Sequence, residues 1–161
     1  MKALVVCTGN ICRSPSAEVV LRKKAVKRGL QDTFSCASAG THGYHVDSPP
    51  DRRSIMVAAE RGYDLSVIRS QKVSTNDFFN YDIFLAMDNS HLKALQRLKP
   101  INSQSSILLF LEYSQEFARQ DVPDPYYGSE AGFSTVLKMI EEGADTFLDQ
   151  MYPLTKLKMT K

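Results

Sequence analysis

Residues Cys7–Ser14 join an apolar run to the start of a helix, and this junction limits the possible folds more than any other segment. The preceding run, Ala3–Val6, is apolar throughout and predicts a buried strand. Ser14 suits a helix cap, Pro15 suits a first helical turn, and Glu18 suits the positive end of a helix. The segment therefore predicts a strand, a tight loop and a helix in direct succession.

The loop at residues 7–14, called the Cys7 loop below, has the composition of an anion-binding site. Backbone N–H groups and the helix dipole are expected to converge on Cys7, and this environment favours a thiolate. Gly9 and Asn10 tolerate the left-handed conformations of a tight loop. Arg13 carries a planar fork of donors that matches two phosphate oxygens. The alternative is a buried cysteine beside an ordinary helix cap, which the flanking strand and the Ser-Pro pair disfavour.

A second unusual stretch, Val122–Gly128, is called the Asp124 loop below. Two prolines bracket Asp124 and restrict the backbone on both sides. A carboxyl on so stiff a loop suits a general acid, although a plain surface turn is the alternative. Together, Cys7, Arg13 and Asp124 supply the nucleophile, the charge stabilisation and the proton that phosphate-monoester hydrolysis needs. This chemistry calls for no metal and no cofactor.

Composition restricts the class of protein. The 161 residues suit a single domain over 1–161, and a net charge of +2 indicates no broad field for nucleic acid. No run of about 18 apolar residues predicts a membrane span, and no signal peptide is expected. An odd count of three cysteines favours a cytoplasmic protein, and the Cys7–Cys12 spacing lacks a second pair of zinc ligands. The lysines at 156, 158 and 161 are expected to form a solvated tail.

Strand and helix signals alternate along the chain. Strands are predicted at 3–6, 33–39, 81–87 and 106–110, and helices at 14–28, 51–61, 88–98 and 134–151, with a helical turn after Thr75. This alternation implies a parallel sheet with helices on both faces. Ligands of such folds bind beyond the carboxyl ends of strands, which is where the Cys7 loop is expected.

At this point the chain resembles the low-molecular-weight protein tyrosine phosphatases. The resemblance rests on Val6–Pro15 and Asp124–Gly128, and it extends to Ser38–Gly40, to Met87-Asp88 and to the element order. It implies a three-layer α/β fold with a four-stranded parallel sheet. It also implies hydrolysis of a phosphotyrosine-containing protein through a cysteinyl-phosphate intermediate, by a monomer or weak dimer that binds neither nucleic acid nor membrane.

The resemblance also implies roles for individual residues. Cys7 would be the nucleophile, Arg13 the phosphate clamp and Asp124 the general acid and base. Ser14 resembles the hydroxyl that hydrogen-bonds the sulfur, and Asn10 and Ser38 resemble a pair that keeps the loop in shape. The residues expected to bind phosphate or line the cleft are Thr8, Gly9, Asn10, Ile11, Cys12, Ser14, Tyr44 and Tyr126.

Several residues have more than one interpretation. Cys12 is either a packing cysteine or, as the family suggests, a thiol that forms a reversible disulfide with Cys7. Tyr126 and Tyr127 resemble tyrosines that are phosphorylated in some members. The three histidines have no motif context, and surface or capping roles are expected for His42, His45 and His91.

One position departs from the family. Many members carry a histidine in a Ser-x-His-Arg setting, where this chain has Ile68. We expect Ile68 to pack against the base of the Cys7 loop and Asn10 to depend on Ser38 and on backbone groups. Glu18 then needs another partner, for which Arg69, His42 or solvent are the candidates.

The sequence disfavours three rival functions. Arsenate reduction needs further cysteines downstream, and none follows Cys36. Arginine phosphatases of this type carry a threonine where this loop has Ile11. A phosphoryl carrier or phosphoprotein-binding module commonly lacks the arginine or the acid, whereas Arg13 and Asp124 both stand here.

Overall fold

The structure, a computed structural model, describes residues 1–153 of the chain, in which strands and helices alternate as predicted. The strands are Lys2–Cys7 (β1), Ser35–Gly40 (β2), Ile83–Ala86 (β3) and Ser106–Leu109 (β4). The helices are Arg13–Lys27 (α1), Arg52–Glu60 (α2), Asn89–Leu98 (α3) and Glu130–Met151 (α4), with a 3-10 turn at Thr75–Phe79. Helix α4 begins at Glu130 rather than at residue 134. The expected tail of lysines at 156, 158 and 161 lies outside the described residues.

The four strands form one parallel sheet in the order β2-β1-β3-β4. Strand β1 is central, so Leu4 pairs with Ala37 on one side and with Phe84 on the other. The predicted four-stranded parallel sheet is therefore confirmed. The chain leaves β1 for β2 on one side and returns to β3 on the other, which makes the carboxyl ends of β1 and β3 the switch point where ligands bind in such folds.

Alternate residues of β1 enter two different cores. Ala3 and Val5 join an apolar cluster with residues of α1, α2 and α4, such as Leu21 and Leu148. Leu4 and Val6 join a second cluster with residues of α3 and of the 3-10 turn. This arrangement gives the expected three layers, because a strand buried on both faces carries apolar residues at every position. None of the helices in residues 1–153 has the length and apolar character of a membrane span.

The end of α1 and the start of α3 follow the predicted local signals. Gly29 has φ of 69° just after α1, and the Gly29 and Leu30 amides donate to the carbonyls of Val26 and Ala25. This is the pattern by which glycine closes a helix. Asp88 caps α3, accepting from the backbone N–H groups of Ser90 and His91. Because β1 and β3 are adjacent parallel strands, the loops that follow them lie at the same edge of the sheet.

Candidate active site

An open cavity of about 230 Å³ lies beyond the carboxyl end of β1. It brings together Cys7, Arg13 and Asp124, the three residues that the sequence assigns to catalysis. The residues that line it are Cys7, Thr8, Gly9, Ile11, Cys12, Arg13, Tyr44, His45, Asp124, Tyr126 and Tyr127. Of the residues predicted to bind phosphate or line the cleft, Asn10 and Ser14 do not line this cavity and instead lie buried behind it.

Ser14 supports the sulfur of Cys7 rather than capping the helix. Helix α1 already begins at Arg13, so the prediction that Ser14 caps it is wrong. The Ser14 hydroxyl lies 3.0 Å from Cys7 Sγ and accepts a 2.8 Å hydrogen bond from Asn10 Nδ2. With that lone pair occupied, the hydroxyl proton is free to point at the sulfur. A thiolate at Cys7 is thereby offered a hydrogen-bond donor.

Asn10 is tied to a segment that the sequence did not identify. Its backbone is left-handed, with φ of 55°, and its side chain is fully buried. Asn10 Oδ1 accepts a hydrogen bond from the backbone N–H of Gln71 at 3.0 Å. Because a backbone N–H only donates, this contact fixes which end of the Asn10 side-chain amide is the oxygen. The Ser70 hydroxyl donates to the Gly9 carbonyl at 2.9 Å. The segment around Ser70 and Gln71 therefore braces the loop from behind.

The expected partnership between Asn10 and Ser38 is absent from residues 1–153. Ser38 is buried, and its hydroxyl makes no hydrogen bond of good geometry among those residues; it lies near Glu18, whose pKa it lowers, and not against Asn10. The backbone part of the expectation holds, since Gln71 supplies an amide to Asn10. The pleat of the sheet sets the direction of the Ser38 side chain. Ser14 and the backbone N–H of Gln71, and not Ser38, therefore hydrogen-bond the Asn10 side chain.

Glu18 has a partner that was not predicted. It is buried in α1, and its carboxylate lies 3.6 Å from the guanidinium of Arg22, one helical turn away. Arg69 instead donates to the carbonyls of Ser66 and Ile68, so it is not the partner. Burial raises the pKa of the Glu18 carboxyl, with Arg22 and Ser38 opposing that effect.

The other two expected partners of Glu18, solvent and His42, are not its partners either, since Glu18 is buried at 5% exposure. His42 is next to Thr41, whose hydroxyl lies 2.9 Å from its Nδ1, so it does not pair with Glu18. Ile68 is buried at 9% exposure, in line with the apolar role expected of it, while its contact with the base of the loop stays a prediction.

Arg13 is almost fully buried and held by two acceptors. Its Nη1 donates to Asp88 Oδ2 at 2.8 Å and to the Val122 carbonyl at 3.0 Å. Its Nη2 lies 3.6 Å from Asp124 Oδ2. Burial raises the pKa of Asp88, but hydrogen bonds from Ser90 and Arg13 outweigh it and keep that pKa below its ordinary value. Asp88 is therefore an ionised anchor that turns one edge of the guanidinium away from the cavity.

His91 supports Thr8 from the same helix cap. Its Nδ1 accepts from the Asp88 amide at 3.2 Å, so Nε2 carries the proton and donates to the Thr8 hydroxyl at 2.8 Å. Burial lowers the pKa of His91 to about 4, which keeps the ring neutral. The capping role expected of His91 is confirmed, and the link to Thr8 was not foreseen.

Asp124 projects toward the cavity from an exposed loop. Its side chain is 45% exposed, and its Oδ1 accepts from the Tyr126 amide at 3.1 Å. Tyr44, with 76% exposure, stands at the mouth with its ring stacked on His42 at 5.1 Å. Tyr126 lines the cavity with 37% exposure. The mouth thus has aromatic walls and a carboxyl at its rim.

Cys12 has the character of a packing cysteine. All three cysteines of the chain are free thiols, and Cys12 is buried at 6% exposure. Burial first, and then the charge of Asp51, raises the pKa of Cys12 to about 12. A thiol that stays protonated is a poor nucleophile, so this environment favours packing over disulfide exchange with Cys7. Cys36 is likewise buried in the core, as expected.

The sequence placed Asp88 at the start of a helix and in the family resemblance but predicted no role for it in the site, and one of its carboxylate oxygens does cap α3. The other oxygen binds Arg13, which lies 75 residues earlier in the chain. Asp51 and Arg53 at the start of α2 were also missed, although both contact the loops of the site. Within residues 1–153, no group of three or more histidine, cysteine or acidic side chains is arranged to hold a metal ion.

Comparison with known proteins is consistent over nearly the whole chain. The family model described as low molecular weight phosphotyrosine protein phosphatase matches residues 2–158. The protein of that name from Schizosaccharomyces pombe is 39% identical over 149 residues, covering 92% of this chain and 95% of the relative. The low molecular weight protein-tyrosine-phosphatase of Streptomyces coelicolor is 40% identical, covering 89% and 88%.

Two solved structures of phosphatases also superpose on nearly the whole chain. A protein tyrosine phosphatase from Entamoeba histolytica, with Hepes in its active site, superposes with a TM-score of 0.89 at 36% identity, covering 94% of this chain and 96% of that one. A structure described as a Drosophila arginine phosphatase superposes with a TM-score of 0.88 at 31% identity, covering 96% and 99%.

Proposed function

The chain belongs to the low molecular weight phosphotyrosine protein phosphatases, and we propose that it hydrolyses phosphotyrosine through a cysteinyl-phosphate intermediate formed on Cys7. The observation that carries this proposal is the convergence of three groups on one cavity. These are the Cys7 sulfur with its Ser14 hydrogen bond, the Arg13 guanidinium, and the Asp124 carboxyl.

In the first step the Cys7 thiolate attacks phosphorus in line with the departing phenolate. A sulfur–phosphorus bond forms, the phosphorus–oxygen bond to the tyrosine ring breaks, and protonated Asp124 gives its proton to the leaving oxygen. Arg13 and the loop N–H groups stabilise the equatorial phosphoryl oxygens. Arg13 Nη1 donates hydrogen bonds to Asp88 and to the Val122 carbonyl, so the other guanidinium nitrogens of Arg13 can bind the phosphoryl group.

In the second step water hydrolyses the intermediate. Asp124, now a carboxylate, accepts a proton from the attacking water, and the sulfur–phosphorus bond breaks to release inorganic phosphate. The sulfur leaves as a thiolate, for which the Ser14 hydroxyl is a hydrogen-bond donor at 3.0 Å. Asp124 ends the cycle protonated and Cys7 ends it ionised, so the enzyme returns to its starting state.

The cavity lining supports an aromatic substrate. Ile11 contributes an apolar branched side chain, and Tyr44 and Tyr126 contribute rings that suit a phenyl group. A structural neighbour is described as an arginine phosphatase, so phosphoarginine is the competitor to include in the assay. We expect kcat/KM for phosphotyrosine peptide to exceed that for phosphoarginine peptide by at least about tenfold.

The test compares Cys7→Ser with Cys36→Ser, a substitution of another buried cysteine away from the cavity. Cys7→Ser should lose turnover by more than about a hundredfold while it still binds phosphate, because loss of a nucleophile costs several kcal/mol in the barrier. Cys36→Ser should keep its turnover. Rapid quenching of wild-type enzyme should trap phosphate on Cys7. Substantial activity in Cys7→Ser, or phosphate trapped on another residue, would overturn the proposal.

Asp124→Ala tests the acid. We expect a loss of about 10²–10⁴ in kcat/KM, which reports the step that expels the phenolate, for phenyl phosphate with its poor leaving group, and a much smaller loss for 2,4-dinitrophenyl phosphate. The reason is that a stable phenolate needs little protonation as it departs. A loss that is equal for the two substrates would mean that Asp124 is not the acid.

A further inference from the structure

We propose that Arg53 is a positioning residue that fixes the Asp124 loop over the Cys7 loop and so sets where Asp124 delivers its proton. The inference rests on the proposed function, because it takes Asp124 to be the general acid. Arg53 lies in the first turn of α2 and does not line the cavity. Any effect it has on the reaction must therefore pass through other residues.

Arg53 holds the backbone of the Asp124 loop from outside. Its Nη2 donates to the Tyr126 carbonyl at 2.8 Å, and its Nη1 lies 3.3 Å from the Gly128 carbonyl. Tyr126 in turn donates its backbone N–H to Asp124 Oδ1 at 3.1 Å. The backbone of one residue thus links Arg53 to the carboxylate. Within residues 1–153, the one other side chain from outside the loop that donates a hydrogen bond to it is Arg13, which binds the Val122 carbonyl at its start, whereas Arg53 binds the half that follows Asp124.

Arg53 is itself anchored to the residue that contacts the Cys7 loop. Its Nε and Nη2 donate to the two oxygens of Asp51 at 3.1 and 3.0 Å. The backbone N–H of Asp51 donates to the Ile11 carbonyl at 2.8 Å. Burial raises the pKa of Asp51, but the hydrogen bonds from Arg53 prevail and hold that pKa below its ordinary value. A continuous chain of contacts therefore runs from one catalytic loop, through Asp51 and Arg53, to the other.

Two aromatic rings fix the plane of the guanidinium. Its central carbon lies 4.5 Å from the ring centroid of Phe133 in α4 and 5.6 Å from that of Tyr126. A planar cation with a rigid fork of donors can stack on rings while it binds a carboxylate and two carbonyls. Lysine offers one compact ammonium and cannot meet all of these partners. The geometry therefore requires arginine and not simply a positive charge.

The consequence is that loss of Arg53 should impair proton delivery and leave phosphate binding intact. The experiment measures kcat/KM, which reports the step that expels the phenolate, of Arg53→Ala, Arg53→Lys and Arg52→Ala with phenyl phosphate and 2,4-dinitrophenyl phosphate. We expect Arg53→Ala to lower kcat/KM for phenyl phosphate by about ten- to a hundredfold, because misplacement of a catalytic group by about 1 Å costs up to about that much. For 2,4-dinitrophenyl phosphate the loss should stay below about threefold. Arg52, exposed on the same turn, is the matched control and should behave as wild type.

Two further readouts separate positioning from general damage to the fold. The inhibition constant of inorganic phosphate should stay within about twofold of wild type. Arg53→Ala should also cause little further loss when combined with Asp124→Ala, since both remove the same step. Arg53→Lys should restore little of the activity. If Arg53→Ala does not fold, Asp51→Asn, which loosens the anchor of Arg53, should give the same leaving-group signature in milder form.

The results distinguish failure of the role proposed for Arg53 from failure of the proposed function. Equal losses on the two substrates, full rescue by lysine, or additive losses with Asp124→Ala would overturn the role of Arg53. If Asp124→Ala itself shows no dependence on the leaving group, the proposed function fails first. If Asp124→Ala shows that dependence and neither Arg53→Ala nor Asp51→Asn does, only this inference fails.

Discussion

Gly40, the last residue of β2, lies against the backbone of the Cys7 loop. A Cβ atom at this position would lie 2.6 Å from the Thr8 carbonyl oxygen, 3.0 Å from the His42 carbonyl oxygen and 3.2 Å from the Asn10 nitrogen. All three obstacles are backbone atoms, so none can be moved by rotating a side chain. We therefore predict that Gly40→Ala displaces the Cys7 loop itself.

The size of the displacement sets the size of the effect. To reach 3.0 Å, below which Cβ contacts are essentially never found, the contact with Thr8 must lengthen by about 0.4 Å. A misplacement of about 1 Å in a catalytic site costs about 10²-fold, so this shift predicts a loss in kcat/KM on the order of tenfold. Overpacking of this kind also costs about 1–3 kcal/mol of folding stability.

The assay measures kcat/KM with a phosphotyrosine peptide, the inhibition constant of inorganic phosphate, and unfolding in urea. Phosphate affinity should weaken together with kcat/KM, because the substitution displaces the loop whose N–H groups are proposed to bind phosphate. Gly43→Ala is the matched control, since its Cβ meets nothing closer than the Lys72 side chain at 3.5 Å. If Gly40→Ala keeps kcat/KM and phosphate affinity within twofold of Gly43→Ala, the steric reasoning is wrong.

Three further predictions concern stability. Burial lowers the pKa of His91 to about 4 in the folded protein, so below about pH 6.5 the unfolded chain binds a proton that the folded protein does not. The free energy of unfolding should therefore fall by about 2–3 kcal/mol between pH 6.5 and pH 4.5. In urea titrations, His91→Gln should show a flatter dependence on pH over this range. Burial raises the pKa of Glu18, so its stabilising contribution is present at low pH and is lost as the pH rises through the pKa of Glu18 in the folded protein. Glu18→Gln should therefore raise Tm at pH 7 and change it little near pH 4. A lower Tm at pH 7 would contradict this. Gly143→Ala places a Cβ atom 2.6 Å from Leu111 Cδ2 and should destabilise the fold by about 1–3 kcal/mol. Gly132→Ala, whose added Cβ atom has its nearest neighbour 3.8 Å away, should instead stabilise the fold by up to about 1 kcal/mol through helix propensity. Equal changes in stability by calorimetry would refute the packing argument.

Features that depend on neighbours along the chain were readable from the residues alone. The apolar run before Cys7, the glycine after α1 and the aspartates before α2 and α3 each act within a few residues of where they stand. The strands, the helices and the place of Cys7 at the end of β1 followed from them. The parallel sheet followed as well, since strands joined by helices pack in that way.

Partners that lie far apart in sequence were decided only by how the helices pack on the sheet. The sequence predicted Arg69, His42 or solvent as the partner of Glu18, and Ser38 with backbone groups as the partners of Asn10. The fold instead brings Arg22 to Glu18, and it brings Ser14 together with the backbone N–H of Gln71 to Asn10. The same holds for Arg53, whose acceptor on Tyr126 is 73 residues away. Buried polar groups take the partner whose geometry fits, and an error of one residue in register or a few ångströms in packing changes that partner. Local signals in the chain therefore predict which residues form the site, while the network that orients them depends on the packed structure.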